Sequence, residues 1–144
     1  MKIVIQDPPP NEEDSIIISV KQITENITRA INLLKSPDSI TVYLDEQALM
    51  LPISNVFYAE SVDLKTYVYA IKTVYRSRLK LYELEELLSN GDFLRVSKQI
   101  IVNVKKIKSV AASGSGNFTA ALVNGEKVVI SRKYVPDLKA RFGL

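Results

Sequence analysis

The stretch from Phe93 to Ser131 constrains this chain most. It alternates short apolar runs, rich in β-branched residues, with turn residues: Phe93 to Ser97, Ile100 to Val104, Ile107 to Ala112, Phe118 to Val123 and Glu126 to Ser131. Such runs read as strands. Asn124-Gly125 lies between the last two and is the strongest hairpin signal in the sequence, predicting a type I′ turn. Ser113 to Asn117 (SGSGN) predicts a mobile hairpin tip. The fold class that follows is mainly β (α+β), closed by a short helix over Lys133 to Phe142.

The first part of the chain is more mixed. Lys2 to Gln6 and Ser15 to Val20 read as strands around a proline-rich loop, Asp7 to Asp14. Ile23, Ile27, Ala30, Ile31 and Leu34 fall on one helical face, with Ser19 and Gln22 at capping-box spacing. Ile40 to Leu44 and Ala48 to Ile53 predict a hairpin across Asp45-Glu46-Gln47. A boundary is expected near Ile53, giving a small α+β segment, 1–53, and a second domain, 54–144. The second domain opens with strands Val56 to Glu60 and Tyr67 to Tyr75, separated by a loop, 61–66. A helix over Leu79 to Asn90 follows, with Ser77 as its cap, Leu81, Leu84, Leu87 and Leu88 on one face, and Asn90-Gly91 as a left-handed stop.

Charge divides along the same line. Residues 1–53 hold four basic and eight acidic side chains, whereas 54–144 hold 15 basic and eight acidic, of which 93–144 hold ten basic and two acidic. An asymmetry of this kind suggests that the basic part faces a polyanion. Charge alone leaves a generic basic surface open. Lys65, Lys98, Arg132 and Lys133 are more specific, because they fall in loops or at element junctions, where a long cation can project beyond a sheet into a groove.

The chain has no cysteine and no histidine. Disulfide frameworks, zinc ribbons, cysteine nucleophiles and Ser-His-Asp arrangements are excluded with them. Glu12-Glu13-Asp14 lacks the spaced oxygens of a Ca²⁺ loop, Gly114-Ser115-Gly116 lacks the ending of a P-loop, and Glu83, Glu85 and Glu86 read as the exposed face of a short helix. No enzyme and no cofactor is expected. No apolar run approaches the roughly 18–20 residues that span a bilayer, so a cytoplasmic location is the expectation. Helix-turn-helix, zinc-finger and aromatic-rich single-strand signatures are also missing. A duplex-DNA binder built from this chain uses loops borne on a β scaffold.

Four stretches then match in order: Val56-Phe57-Tyr58-Ala59-Glu60-Ser61; Leu81 to Leu88 (LYELEELL); Phe93 to Asn103 (FLRVSKQIIVN); and Asn124-Gly125 followed by Ile130-Ser131-Arg132-Lys133-Tyr134. Together they resemble the LytTR-type DNA-binding domain of bacterial transcription regulators. The resemblance implies an elongated fold of antiparallel β-sheets with short helices, whose loops enter successive major grooves of promoter DNA. It places base reading at Lys65 and Thr66, at Ser97 and Lys98, and at Arg132, with Arg95 near the phosphates. Ser97 and Gln99 depart from the His and Ser that many members carry at that turn. Lys105, Lys106 and Lys133 join Arg95 as candidate phosphate contacts. Four such contacts correspond to a salt slope of about −4 per protomer.

Residues 1–53 are too few for a phosphate-accepting receiver domain. They resemble the N-terminal part of short, receiver-less regulators, which implies homodimerisation, at least on DNA, or contact with a small membrane-embedded inhibitor protein. The competing reading is a protein-interaction module, an anti-regulator or adaptor without specific DNA binding. Cations at both Lys98 and Arg132 argue against it.

Overall fold

The computed structural model describes residues 1–35, 37–89 and 91–144. In chain order the elements are α1 (Glu25–Lys35), β1 (Ser39–Leu44), β2 (Gln47–Pro52), β3 (Tyr58–Val62), β4 (Lys65–Tyr69), β5 (Val74–Ser77), α2 (Leu81–Leu87), β6 (Phe93–Arg95), β7 (Ile100–Asn103), β8 (Ile107–Gly114), β9 (Asn117–Leu122), β10 (Lys127–Ile130) and α3 (Val135–Phe142), with 3₁₀ turns at Ile53–Asn55, Val104–Lys106 and Arg132–Tyr134. Every strand pairing is antiparallel. Seven strands form one sheet in the order β2-β1-β5-β4-β3-β7-β6, and three form a second, β10-β9-β8.

The large sheet is covered on both faces. Side chains alternate along a strand, so Ile101 joins Val68, Leu81, Leu84 and Leu88 beneath α2, whereas its neighbour Val102 joins Phe57, Leu122, Ile130 and Leu138 against the small sheet and α3. Each such aliphatic side chain contributes about 1.5–3 kcal/mol by burial. Ile40, Val42 and Leu51 belong to the core under α2, and Tyr43 of β1 pairs with Arg76 of β5. The sheet therefore crosses residue 53, where the sequence suggested a boundary.

Several local expectations change. Lys2 to Gln6 and Ser15 to Val20 are not strands, because a strand exists only through its partner and neither outer strand, β2 or β6, takes a further one among the described residues. Thr24 rather than Ser19 caps α1, accepting from the Ile27 N–H at 3.4 Å. Tyr67 to Tyr75 is not one strand: the chain reverses after Tyr69, and β4 and β5 pair with each other. The Ser77 hydroxyl accepts from the Leu79 N–H at 3.1 Å, ahead of α2, whose first turn is closed by the Lys80 N–H donating to Glu83 Oε1 at 3.0 Å. Of the Asn90-Gly91 stop, Asn90 lies outside the described residues, and Gly91 has no left-handed φ.

The turns are informative. Asp45-Glu46 (φ 49° and 67°) and Asp63-Leu64 (φ 50° and 65°) close two-residue hairpins, the type I′ pattern, without a glycine. At Asn124-Gly125 only Gly125 is left-handed, at φ 90°. The Gly125 N–H donates to Leu122 O at 3.0 Å and the Leu122 N–H to Glu126 O at 2.8 Å, making a three-residue loop. Core packing decides this. The observed register opposes Val128 to Ala120, both buried. A two-residue loop would shift the pairing by one and oppose Val129, an exposed residue, to Ala120.

Candidate nucleic-acid interface

The β3–β4 ribbon outruns its neighbours. Pairing of β3 with β7 ends at Glu60–Ile100 and pairing of β4 with β5 ends at Thr66–Ser77, whereas β3 and β4 continue to Val62–Lys65 and reverse at Asp63-Leu64. The tip thus stands free of the sheet and carries Lys65, which is exposed. Thr66, expected beside it as a reading residue, is only 3 % exposed. It lies in β4 rather than in a loop, and strand alternation turns it inward where Lys65 points out.

The second loop joins β6 to β7. Lys98 is exposed and Ser97 half-buried. The Ser97 Oγ accepts from the Gln99 N–H at 3.2 Å, which rigidifies the turn. Arg95 stands behind it. Its Nε donates to Ser97 O at 2.6 Å, a terminal nitrogen donates to Lys98 O, and the other reaches Glu85 Oε1 at 3.2 Å. The guanidinium expected near phosphates is thus occupied with the turn itself and with α2.

Arg132 opens the 3₁₀ turn after β10 and is exposed. Its N–H donates to Asn117 Oδ1 at 2.9 Å. Its side chain runs over the β8–β9 turn so closely that a Cβ on Gly116 would lie 2.7 Å from Arg132 Cδ. The SGSGN stretch is accordingly a tight turn, with Gly114, Ser115 and Gly116 all left-handed and Gly116 under the arginine.

Backbone hydrogen bonds bring the three loops to one end of the molecule. The Ser61 N–H donates to Gln99 O at 2.8 Å, linking the ribbon to the Ser97-Lys98 turn, and the Ser131 N–H donates to Val96 O at 2.8 Å, linking that turn to Arg132. Lys133 follows directly, its Nζ 5.7 Å from the Tyr134 ring centre. Lys105 and Lys106 are not brought to this end. They follow β7 at its opposite end, about 13 Å along the strand. Lys105 Nζ lies 3.2 Å from Asp92 Oδ2, and Lys106 Nζ lies 5.1 Å from the Phe57 ring centre.

The root of the ribbon is braced by aromatic rings. Tyr58 and Tyr69 stack with centroids 4.2 Å apart, and the Tyr69 hydroxyl donates to Glu60 Oε1 at 3.1 Å. Burial, then the hydrogen bond to Glu60, raises the Tyr69 phenol above its ordinary value; burial, then Glu126, does the same for Tyr58.

The sequence did not single out the supporting partners, Glu85, Asn117 and Gly116. Glu85 read as one of three exposed helical carboxylates, and nothing local marks it as the partner of Arg95. For Gly116 and Asn117 the only signal was the cluster of turn residues around them.

Residues 46–143 match the model of the LytTr DNA-binding domain. A solved LytTr DNA-binding domain from Bacillus cereus superposes with a TM-score of 0.70 at 30% identity, covering 75% of this chain and 99% of that one. The transcriptional regulatory protein YpdB of Escherichia coli is 25% identical over 120 residues, and the sensory transduction protein LytT of Bacillus anthracis 24% over 139. This chain spans about half of each, 49% and 56% of their lengths. A Staphylococcus aureus protein named as an HTH-type transcriptional regulator is 25% identical over 138 residues, which make up 93% of both chains. Sequence and fold agree that the chain belongs to the LytTr DNA-binding domain family.

Proposed function

We propose that the protein is a sequence-specific transcription regulator that inserts its loops into successive major grooves of duplex promoter DNA. One observation carries this reading: the tip of the β3–β4 ribbon, the β6–β7 loop and the 3₁₀ turn after β10, which bear Lys65, Lys98 and Arg132, are tied to the same end of the molecule by main-chain hydrogen bonds. In this reading Arg132 pairs with guanine O6 and N7, and Lys98 and Ser97 meet base edges beside it. Lys65 reads from the ribbon while Thr66 packs beneath it. Lys133 supplies a phosphate contact at this end, and Lys105 and Lys106 supply contacts farther along the backbone. Arg95 acts through the turn it holds. Selection of bound sequences from random duplexes tests the reading. Enrichment of a defined site supports it, and no enrichment would favour the adaptor alternative.

Protein contacts fall to the segment ahead of β1. Ile3, Val4, Ile5, Ile16, Ile17 and Ile23 are all strongly exposed there, and exposed aliphatic groups so concentrated mark an interaction surface. The partner we assign is a second copy of the chain, giving a cytoplasmic homodimer on DNA. A small membrane-embedded inhibitor is the rival occupant, distinguished by whether the purified protein dimerises alone. Among the described residues no helix is long and apolar enough to cross a membrane.

A further inference from the structure

We propose that Leu64 reads thymine through its C5-methyl group, an inference that rests on the DNA-binding function above. Leu64 sits at the tip of the β3–β4 ribbon, beyond the last pairing of either strand with its other neighbour. A two-stranded ribbon of this width is what a major groove of about 12 Å admits. The side chain is fully exposed, at 100 %, and its backbone is left-handed, at φ 65°. Bulky side chains rarely take that conformation. Glycine or asparagine would close the same turn without strain and, in water, without exposing an isobutyl group.

The charges beside it set the aim of the tip. Asp63 precedes Leu64 in the turn, and its carboxylate is repelled by phosphates. Within the groove the tip is therefore favoured midway between the two backbones, over base edges, beside the base-reading Lys65. The major-groove edges of the base pairs offer donors and acceptors and one apolar group, the thymine methyl. A leucine led into that groove has this group to contact. Strain retained at an exposed tip on the DNA-facing end is accounted for by that contact.

The test uses the full-length chain and the duplex it selects. Each thymine of the site is replaced singly by deoxyuracil, which removes only the methyl, and binding is measured for the wild type, Leu64→Asn and Leu64→Gly. Both variants suit a left-handed turn, so a retained or raised melting temperature shows that the fold survives. At one thymine, uracil weakens the wild type about fourfold, the worth of one buried carbon. The variants weaken thymine-containing duplex by a similar factor and lose nothing further with uracil. Wild-type binding that no uracil changes, or a uracil penalty that persists in both variants, overturns the assignment while leaving DNA binding intact. A wild type that selects no sequence removes the parent reading and this one together.

Discussion

Arg95 Nε donates to the main-chain oxygen of Ser97 at 2.6 Å, while the same guanidinium pairs with Glu85 at 3.2 Å. One side chain thus joins α2 to the turn that presents Lys98. Hydrogen bonds from a charged donor contribute about 1.5–3 kcal/mol each, and lysine cannot reproduce the planar fork. Arg95→Lys should lower affinity for the specific site about tenfold or more, with non-specific binding nearly unchanged. Competition gel shifts with specific and random duplex measure that ratio. An equal loss on both would return Arg95 to the phosphates.

Arg132 and Gly116 should behave as a pair. Arg132→Ala removes a guanine contact worth about 1–3 kcal/mol and relaxes preference at one base position. Gly116→Ala places a methyl 2.7 Å from Arg132 Cδ at a backbone φ of 80°. It should relax the same position by displacing the arginine and cost about 1 kcal/mol or more in stability. Selected-sequence profiles and thermal melts of the two variants check this.

Salt dependence separates the lysines. Lys133→Ala and Lys106→Ala should each flatten the slope of log K against log salt by about 1 and weaken all duplexes alike. Lys105→Ala should change it less, because Asp92 already pairs with that ammonium at 3.2 Å. Titrations at several salt concentrations supply the slopes.

Truncation distinguishes the two parts of the N-terminal region. Removing residues 1–37 should leave the melting transition in place and reduce the mass measured by light scattering to that of a monomer. Removing 1–53 also deletes Ile40, Val42 and Leu51 from the core. Losing even one such aliphatic group costs about 2–5 kcal/mol, so the fragment 54–144 should melt far lower or fail to fold.

Alkaline pH should loosen the ribbon root. The Tyr58 and Tyr69 phenols are raised in the folded state, so the unfolded chain releases these protons first as pH climbs past about 10. Their contribution is complete below that pH and fades above it. Tyr69→Phe removes one of the two groups and should lessen the fall of melting temperature between neutral and alkaline solution.

Much of the fold lay in local pattern. The strands from Phe93 to Ile130, the α1 stripe, the β1–β2 hairpin and the closing helix were legible because alternation, β-branching and turn residues act over a few neighbours. So was the basic character of the region, and the four ordered motifs named the family. Position within an element was harder. Tyr67 to Tyr75 looks continuous until its two halves pair with each other, and the Asn124-Gly125 turn took its type from the packing of Val128 rather than from its own residues.

The sequence by itself determined which segments prefer strand, where the cations concentrate and which chemistries are impossible without cysteine and histidine. Tertiary structure alone decided which side chains reach outward. Thr66 is turned inward by the register of β4, Arg95 is drawn to Ser97 and Glu85, and Leu64 is carried past the sheet edge because the neighbouring strands stop short. The gathering of the three reading segments at one end depends on pairings between residues distant in sequence, Ser61 with Gln99 and Ser131 with Val96. Local propensity carries no information about such pairings; the cores on either side of the large sheet select them.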